Sequence, residues 1–109
     1  MTTVGTRRLL PNRRYGETFE IEHGSHRWPF VVTVGRYPDG TVGEVFVSGG
    51  KSGTDLEASV RDMAILLSLA LQHGVPPNTM ASAITREADG APSTIIGRVL
   101  DRLRGENSE

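Results

Sequence analysis

The chain contains no cysteine. That absence removes disulfides, thiolate metal sites and every form of thiol catalysis. No stretch approaches the roughly 18 apolar residues of a membrane span, and the N-terminal MTTVGTRRLLPNRR has no apolar leader. A soluble, cytoplasmic protein with no membrane partner is the expectation. Lysine is almost missing as well, with Lys51 standing alone among eleven arginines. Acidic residues are absent from the first sixteen positions, where Arg7, Arg8, Arg13 and Arg14 all fall. The net charge of −1 therefore divides into an arm of +4 and a body of −5. Such an arm can touch phosphates or a partner, or fold back on the acidic body. The chain as a whole lacks the basic excess of a general nucleic-acid binder.

What is present points to one domain of 109 residues, long enough to bury a core without staples. Residues 49–74, GGKSGTDLEASVRDMAILLSLALQHG, organise it: a glycine-rich loop opens into the longest helix the sequence can form. Thr54 and Glu57 make a T-x-x-E capping box, and Gly74 followed by Pro76 and Pro77 ends the helix. Leu56, Val60, Met63, Ala64, Leu67 and Leu71 form one apolar stripe. Ile65, Leu66 and Leu69 fall on the opposite side, which predicts cover from both faces in the C-terminal half.

Upstream, residues 18–23 alternate, with Phe19 and Ile21 opposite Glu20 and Glu22; this predicts a half-buried strand. Residues 28–35 predict a second strand with Trp28, Phe30, Val32 and Val34 on one face, and residues 42–48 a third. Tyr37, Pro38, Asp39 and Gly40 supply the turn between them. Strands joined this closely predict an antiparallel meander, and core packing is the expected role of Phe19, Trp28, Phe30 and Phe46, with stacking on bases or another subunit the alternative if one sheet face is left uncovered. Downstream, Pro77 opens a short helix containing Met80, Ala83 and Ile84. Residues 87–92 form a loop, and Ser93 is expected to cap a third helix carrying Ile96, Val99, Leu100 and Leu103. The order is βββααα, an α+β domain over residues 17–104. Residues 1–16 are expected to be a flexible basic arm and residues 105–109 a frayed tail.

Residues 9–103 resemble the TSCPD domain, a module found at the C-terminal end of cobalamin-dependent ribonucleotide reductases and also as small free-standing bacterial proteins. The matching words are LPNRRYGETFEIEHG, VGRYPDGTVGEVFVSGGKSGTD and SLALQHGVPP. The Thr-Ser-Cys-Pro-Asp words that name the family are absent, so no metal or redox role attached to them carries over. Ribonucleotide reduction needs a cysteine thiyl radical and a dithiol, which a chain without cysteine lacks. The resemblance implies a non-catalytic accessory or regulatory module with ribonucleotide reductase, or another protein, as its partner; no cofactor is implied.

The sharpest candidate site is the 49–54 loop. Gly50, Lys51, Ser52, Gly53 and Thr54 at a helix N-terminus bring backbone N–H groups, a lysine and two hydroxyls to one place, a recipe for holding the phosphate of a nucleotide. Arg36 and the arm arginines are auxiliary charges. The spacing is not that of a Walker A loop, which would need glycine where Val45 stands. The bland alternative is a structural strand-to-helix turn whose glycines allow the backbone its path. Residues 67–85 have the helix, turn and second helix of a DNA reader, but the second helix begins Pro77-Asn78-Thr79 and its one basic residue, Arg86, lies at the far end. A nucleic-acid regulator using the arm or this corner and a pure protein-interaction module are the alternatives. His23 and His26, with Glu20 and Glu22, have only loose metal-ligand spacing. Three strands leave two sheet edges, and homodimerisation across one of them is a natural solution.

Overall fold

The computed structural model describes residues 6–22, 29–49 and 54–106. Strands β1 (Gly16–Ile21), β2 (Phe30–Arg36) and β3 (Val42–Gly49) form one antiparallel sheet in the order β1-β2-β3. Helices α1 (Asp55–Gln72), α2 (Pro77–Ala83) and α3 (Ile95–Glu106) follow, so the α+β meander is as the sequence predicts. Register places Phe19 beside Val32, Ile21 beside Phe30, and Val34 beside Val45. Because side chains alternate across a strand, these residues and Val47 share one face, and that face is the core side of the sheet. Trp28 lies outside the described residues.

The turn into β3 is closed by backbone bonds between Tyr37 and Thr41, with Gly40 at φ +89 and the Asp39 carboxylate accepting from the Thr41 N–H. Gly49 leaves the sheet at φ +117, where an added Cβ would meet the Pro29 carbonyl at 2.7 Å. Only glycine takes that path without strain. Thr54 caps α1, its hydroxyl accepting from the Glu57 N–H at 3.2 Å.

The helices do not stack as the sequence suggests. α1 runs along the outer edge of β3. Ser68 Oγ accepts from the Val45 N–H at 2.8 Å and donates to the Val45 carbonyl at 3.0 Å. One turn on, Gln72 Nε2 donates to the Gly43 carbonyl at 2.9 Å. A rise of about 6 Å over four helical residues nearly matches about 6.8 Å over two strand residues, so the two side chains reach alternate backbone groups of the strand. One of the two edges predicted to be open is thereby occupied. The core face of the sheet is buried in one cluster with Ile95, Ile96, Val99, Leu100 and Leu103 of α3 and with Val60, Ala64, Leu67 and Leu71 of α1.

This placement corrects three expectations. Ile65, Leu66 and Leu69 are not covered: they are 51%, 65% and 36% exposed, because a helix lying at a sheet edge keeps one side of its cylinder outward. Phe46 is 55% exposed, since its parity puts it on the sheet face opposite Val45 and Val47. Thr94 rather than Ser93 caps α3, its hydroxyl accepting from the Gly97 N–H at 3.0 Å, while the Ser93 hydroxyl donates to the Glu87 carboxylate.

Candidate functional site

Of the predicted phosphate loop, Gly50, Lys51, Ser52 and Gly53 lie outside the described residues. Its two ends are described. Gly49 closes β3 opposite Phe30, and the Thr54 hydroxyl is engaged as the helix cap. Asp55 and Glu57 occupy the first turn of α1, so two carboxylates already complement the positive end of the helix dipole. Arg36 is not brought to this loop. It pairs with Val42 at the other end of β2, six residues from Phe30 and about 20 Å away along the strand. There its guanidinium binds Glu17 at 2.5 Å and the Gly40 carbonyl at 2.9 Å.

Three of the four arm arginines contact the body. The Arg7 guanidinium donates to Gln72 Oε1 at 2.5 Å, and the Arg8 backbone N–H donates to the Gln72 carbonyl at 2.8 Å. Arg8 also stacks on the Tyr37 ring at 3.7 Å, pairs with Asp39 at 3.3 Å, and its carbonyl accepts from the Tyr37 hydroxyl at 2.5 Å. Arg14 forms an ion pair with Glu44 that, through its hydrogen bond, raises the Arg14 pKa. Arg13 is exposed. The Asp39 carboxyl is held below the usual carboxylate range by hydrogen bonds from the Thr41 hydroxyl and N–H, with Arg8 adding a smaller charge effect.

These contacts draw together residues that the sequence keeps far apart. Arg7 and Arg8, the RYPDG turn and SLALQHGVPP converge where the arm crosses the end of α1. A cavity of about 630 Å³ opens there, walled by Arg8, Tyr37, Val42, Gln72, His73 and Val75. Gln72 is the hub, 6% exposed, with both ends of its amide engaged. His73 ends the helix, and its Nδ1 meets the Leu69 carbonyl at 2.8 Å. A carbonyl can only accept, so Nδ1 carries the proton and Nε2 is the nitrogen left for an outside contact. Sequence reasoning missed Tyr37 and Gln72. A buried amide at a helix end, set among words shared with a known family, was the available signal.

Among the described residues no three of His, Asp and Glu gather into a metal-holding group, and His23 and His26 lie outside those residues. Arg86, the basic residue of the helix-turn-helix reading, is bonded to both Asp101 oxygens and to the Ala81 carbonyl. The helix that would enter a groove has seven residues. No described helix is long and apolar enough to cross a membrane. A second feature stands out on α1: Ile65, Leu66 and Leu69, with Phe46 beside them, form an exposed apolar ridge.

Comparison with known proteins fits this architecture. The TSCPD domain family matches residues 4–106. The vitamin B12-dependent ribonucleotide reductase of Agrobacterium fabrum is 38% identical over 79 residues, 72% of this chain and 6% of the reductase. That of Bradyrhizobium diazoefficiens is 37% identical over the same shares, and that of Streptantibioticus cattleyicolor 35% identical over 72% of this chain and 13% of the relative. The chain thus spans only a small part of the length of the relatives it matches. No solved structure is a significant match. With nearly its whole length matched, the chain belongs to the TSCPD domain family.

Proposed function

We propose that this chain is a non-catalytic accessory module that docks on the cobalamin-dependent ribonucleotide reduction machinery and regulates it. The observation that carries this reading is the match to the TSCPD domain over residues 4–106, together with an alignment of 79 residues that covers only 6% of the Agrobacterium reductase. A segment of that size within a much longer relative is a part, and its surface chemistry is that of a binding part. Several arginines of the described residues are held in ion pairs and hydrogen bonds, among them Arg36–Glu17 and Arg86–Asp101, and the sequence offers no cysteine for radical transfer.

Between protein docking and nucleotide capture, the start of α1 favours docking. A phosphate at the 49–54 loop would face the carboxylates of Asp55 and Glu57 and a Thr54 hydroxyl already in use, leaving Lys51, Ser52 and the backbone to hold it. The test is calorimetric titration of the full chain against a purified vitamin B12-dependent ribonucleotide reductase, with turnover followed in parallel. Saturable binding near micromolar affinity and altered reductase turnover are expected, with no reduction by the chain alone. Absence of binding at about 100 μM reductase would refute the docking reading. Amide shifts confined to residues 50–54 on adding a nucleoside triphosphate would reverse the preference for docking over nucleotide capture.

A further inference from the structure

We propose that the outward ridge of α1 binds a second copy of this chain, the two α1 helices packing antiparallel about a two-fold axis. The proposal goes beyond the docking reading and stands independently of it. Its basis is the order of residues along one stripe of the helix. Asp62, Leu66, Leu69 and His73 are spaced 4-3-4, the spacing of a helix-pairing seam. Asp62, Leu66 and Leu69 are exposed, and so is His73 at the cap.

Reversing one copy on another about a point between positions 67 and 68 sets Leu66 against the second copy's Leu69, and Asp62 against the second copy's His73. Each contact occurs twice, as a two-fold interface demands. The seam is thus self-complementary in the order of its residues: an acid at its N-terminal border meets a histidine at its C-terminal border, an opposite charge once the imidazole is protonated. The His73 Nδ1–H is spent on the Leu69 carbonyl, so Nε2 faces the carboxylate and donates to it in the imidazolium form, in which both ring nitrogens carry protons.

Both flanks of the ridge suit such a neighbour. On one side Leu66 stands at the lip of an apolar groove of about 330 Å³ between α1, α2 and α3, lined by Met63, Met80 and Ile84 among others. Methionines of this kind adapt to an incoming side chain. On the other side Phe46, Ile65 and Leu69 continue the apolar surface onto β3. The alternative of strand addition on this side is closed, because Ser68 and Gln72 occupy the outward backbone groups of Val45 and Gly43. Among the described residues the ridge also lacks a cluster of free lysines and arginines of the kind a nucleic acid or an anionic lipid surface would require: Arg61 is paired with Glu57 at 3.4 Å, and Arg7, on the Phe46 side, donates to Gln72.

Sedimentation of the full chain over a dilution series tests this. Wild type is expected to reach twice the single-chain mass of 11.8 kDa. Leu66→Glu is expected to remain at the single-chain mass with unchanged circular dichroism. Asp62→Lys and His73→Glu should each weaken association by about tenfold, and the double variant should recover most of that loss, because the reversed pair still faces its opposite charge. A wild type that stays monomeric throughout overturns the proposal. So does a dimer indifferent to Leu66→Glu, or a charge-reversed double variant no better than its parents. A monomer whose binding to a purified reductase is lost in Leu66→Glu would assign the ridge to that heterologous partner instead.

Discussion

Replacing Ser68 by alanine removes one hydroxyl and strands two backbone groups. Ser68 Oγ is the partner of both the N–H and the carbonyl of Val45, at 2.8 and 3.0 Å, in a position that is partly buried under α1. A buried polar group left without its partner costs about 1–3 kcal/mol, and partial access to water puts each of these near the low end. Alanine returns up to about 0.5 kcal/mol as the better helix former. The net loss is then about 2 kcal/mol, or a fall in Tm of about 8–16 °C for a domain of this size. Ser82→Ala is the control, because the Ser82 hydroxyl bonds only the Asn78 carbonyl on an exposed helix surface; its effect should stay within about 0.5 kcal/mol. Denaturant unfolding gives the stability, and hydrogen exchange at the Val45 amide gives the location: protection there should fall in Ser68→Ala and hold in Ser82→Ala. Equal stability of the two variants, or an unchanged Val45 exchange rate, would refute the claim that α1 seals the β3 edge.

Two further expectations follow from the core and the ion pairs. Leu103→Ala empties a site with no solvent exposure beneath the sheet and should cost about 2–5 kcal/mol, measured as a lower denaturation midpoint at unchanged slope. The Asp101 carboxyl is held below its usual range by hydrogen bonds from Arg86, with Arg104 and Arg98 adding charge and burial opposing. A carboxyl depressed in the folded state contributes stability above its unfolded pKa of about 3.9 and loses it as pH falls through the folded value. Wild type should therefore exceed Asp101→Asn in stability at pH 7, and the gap should close below about pH 4; a gap constant with pH would contradict the pairing.

Much of the fold was legible because period and punctuation agree. Val32, Val34, Val45 and Val47 alternate as a half-buried meander requires, and Thr54 and Gly74 mark the ends of α1 as caps do. The position of α1 was not legible, since an apolar stripe states that a helix packs and not whether it lies across a face or along an edge. Hydroxyl and amide residues decided that: Ser68 and Gln72 read in sequence as neutral helix positions, yet they bond the strand edge. The exposure of Phe46 and Leu66 follows from that choice. For the candidate site, the arm arginines were visible as charge, but their partners Gln72, Tyr37 and Glu44 lie dozens of positions away and no local pattern links them.

The arm contacts also order events in time. The bond from the Arg8 N–H to the Gln72 carbonyl joins positions 64 residues apart, and its acceptor exists in the right place only after α1 has formed against β3. Docking of residues 6–15 is therefore a late step in folding and, run backwards, an early one in opening. Arg7, Arg8, Arg13 and Arg14 are four cleavage sites for trypsin within that one segment. Their rate of cutting under native conditions is a clock for undocking of the arm, set by the Gln72 hub rather than by the stability of the core.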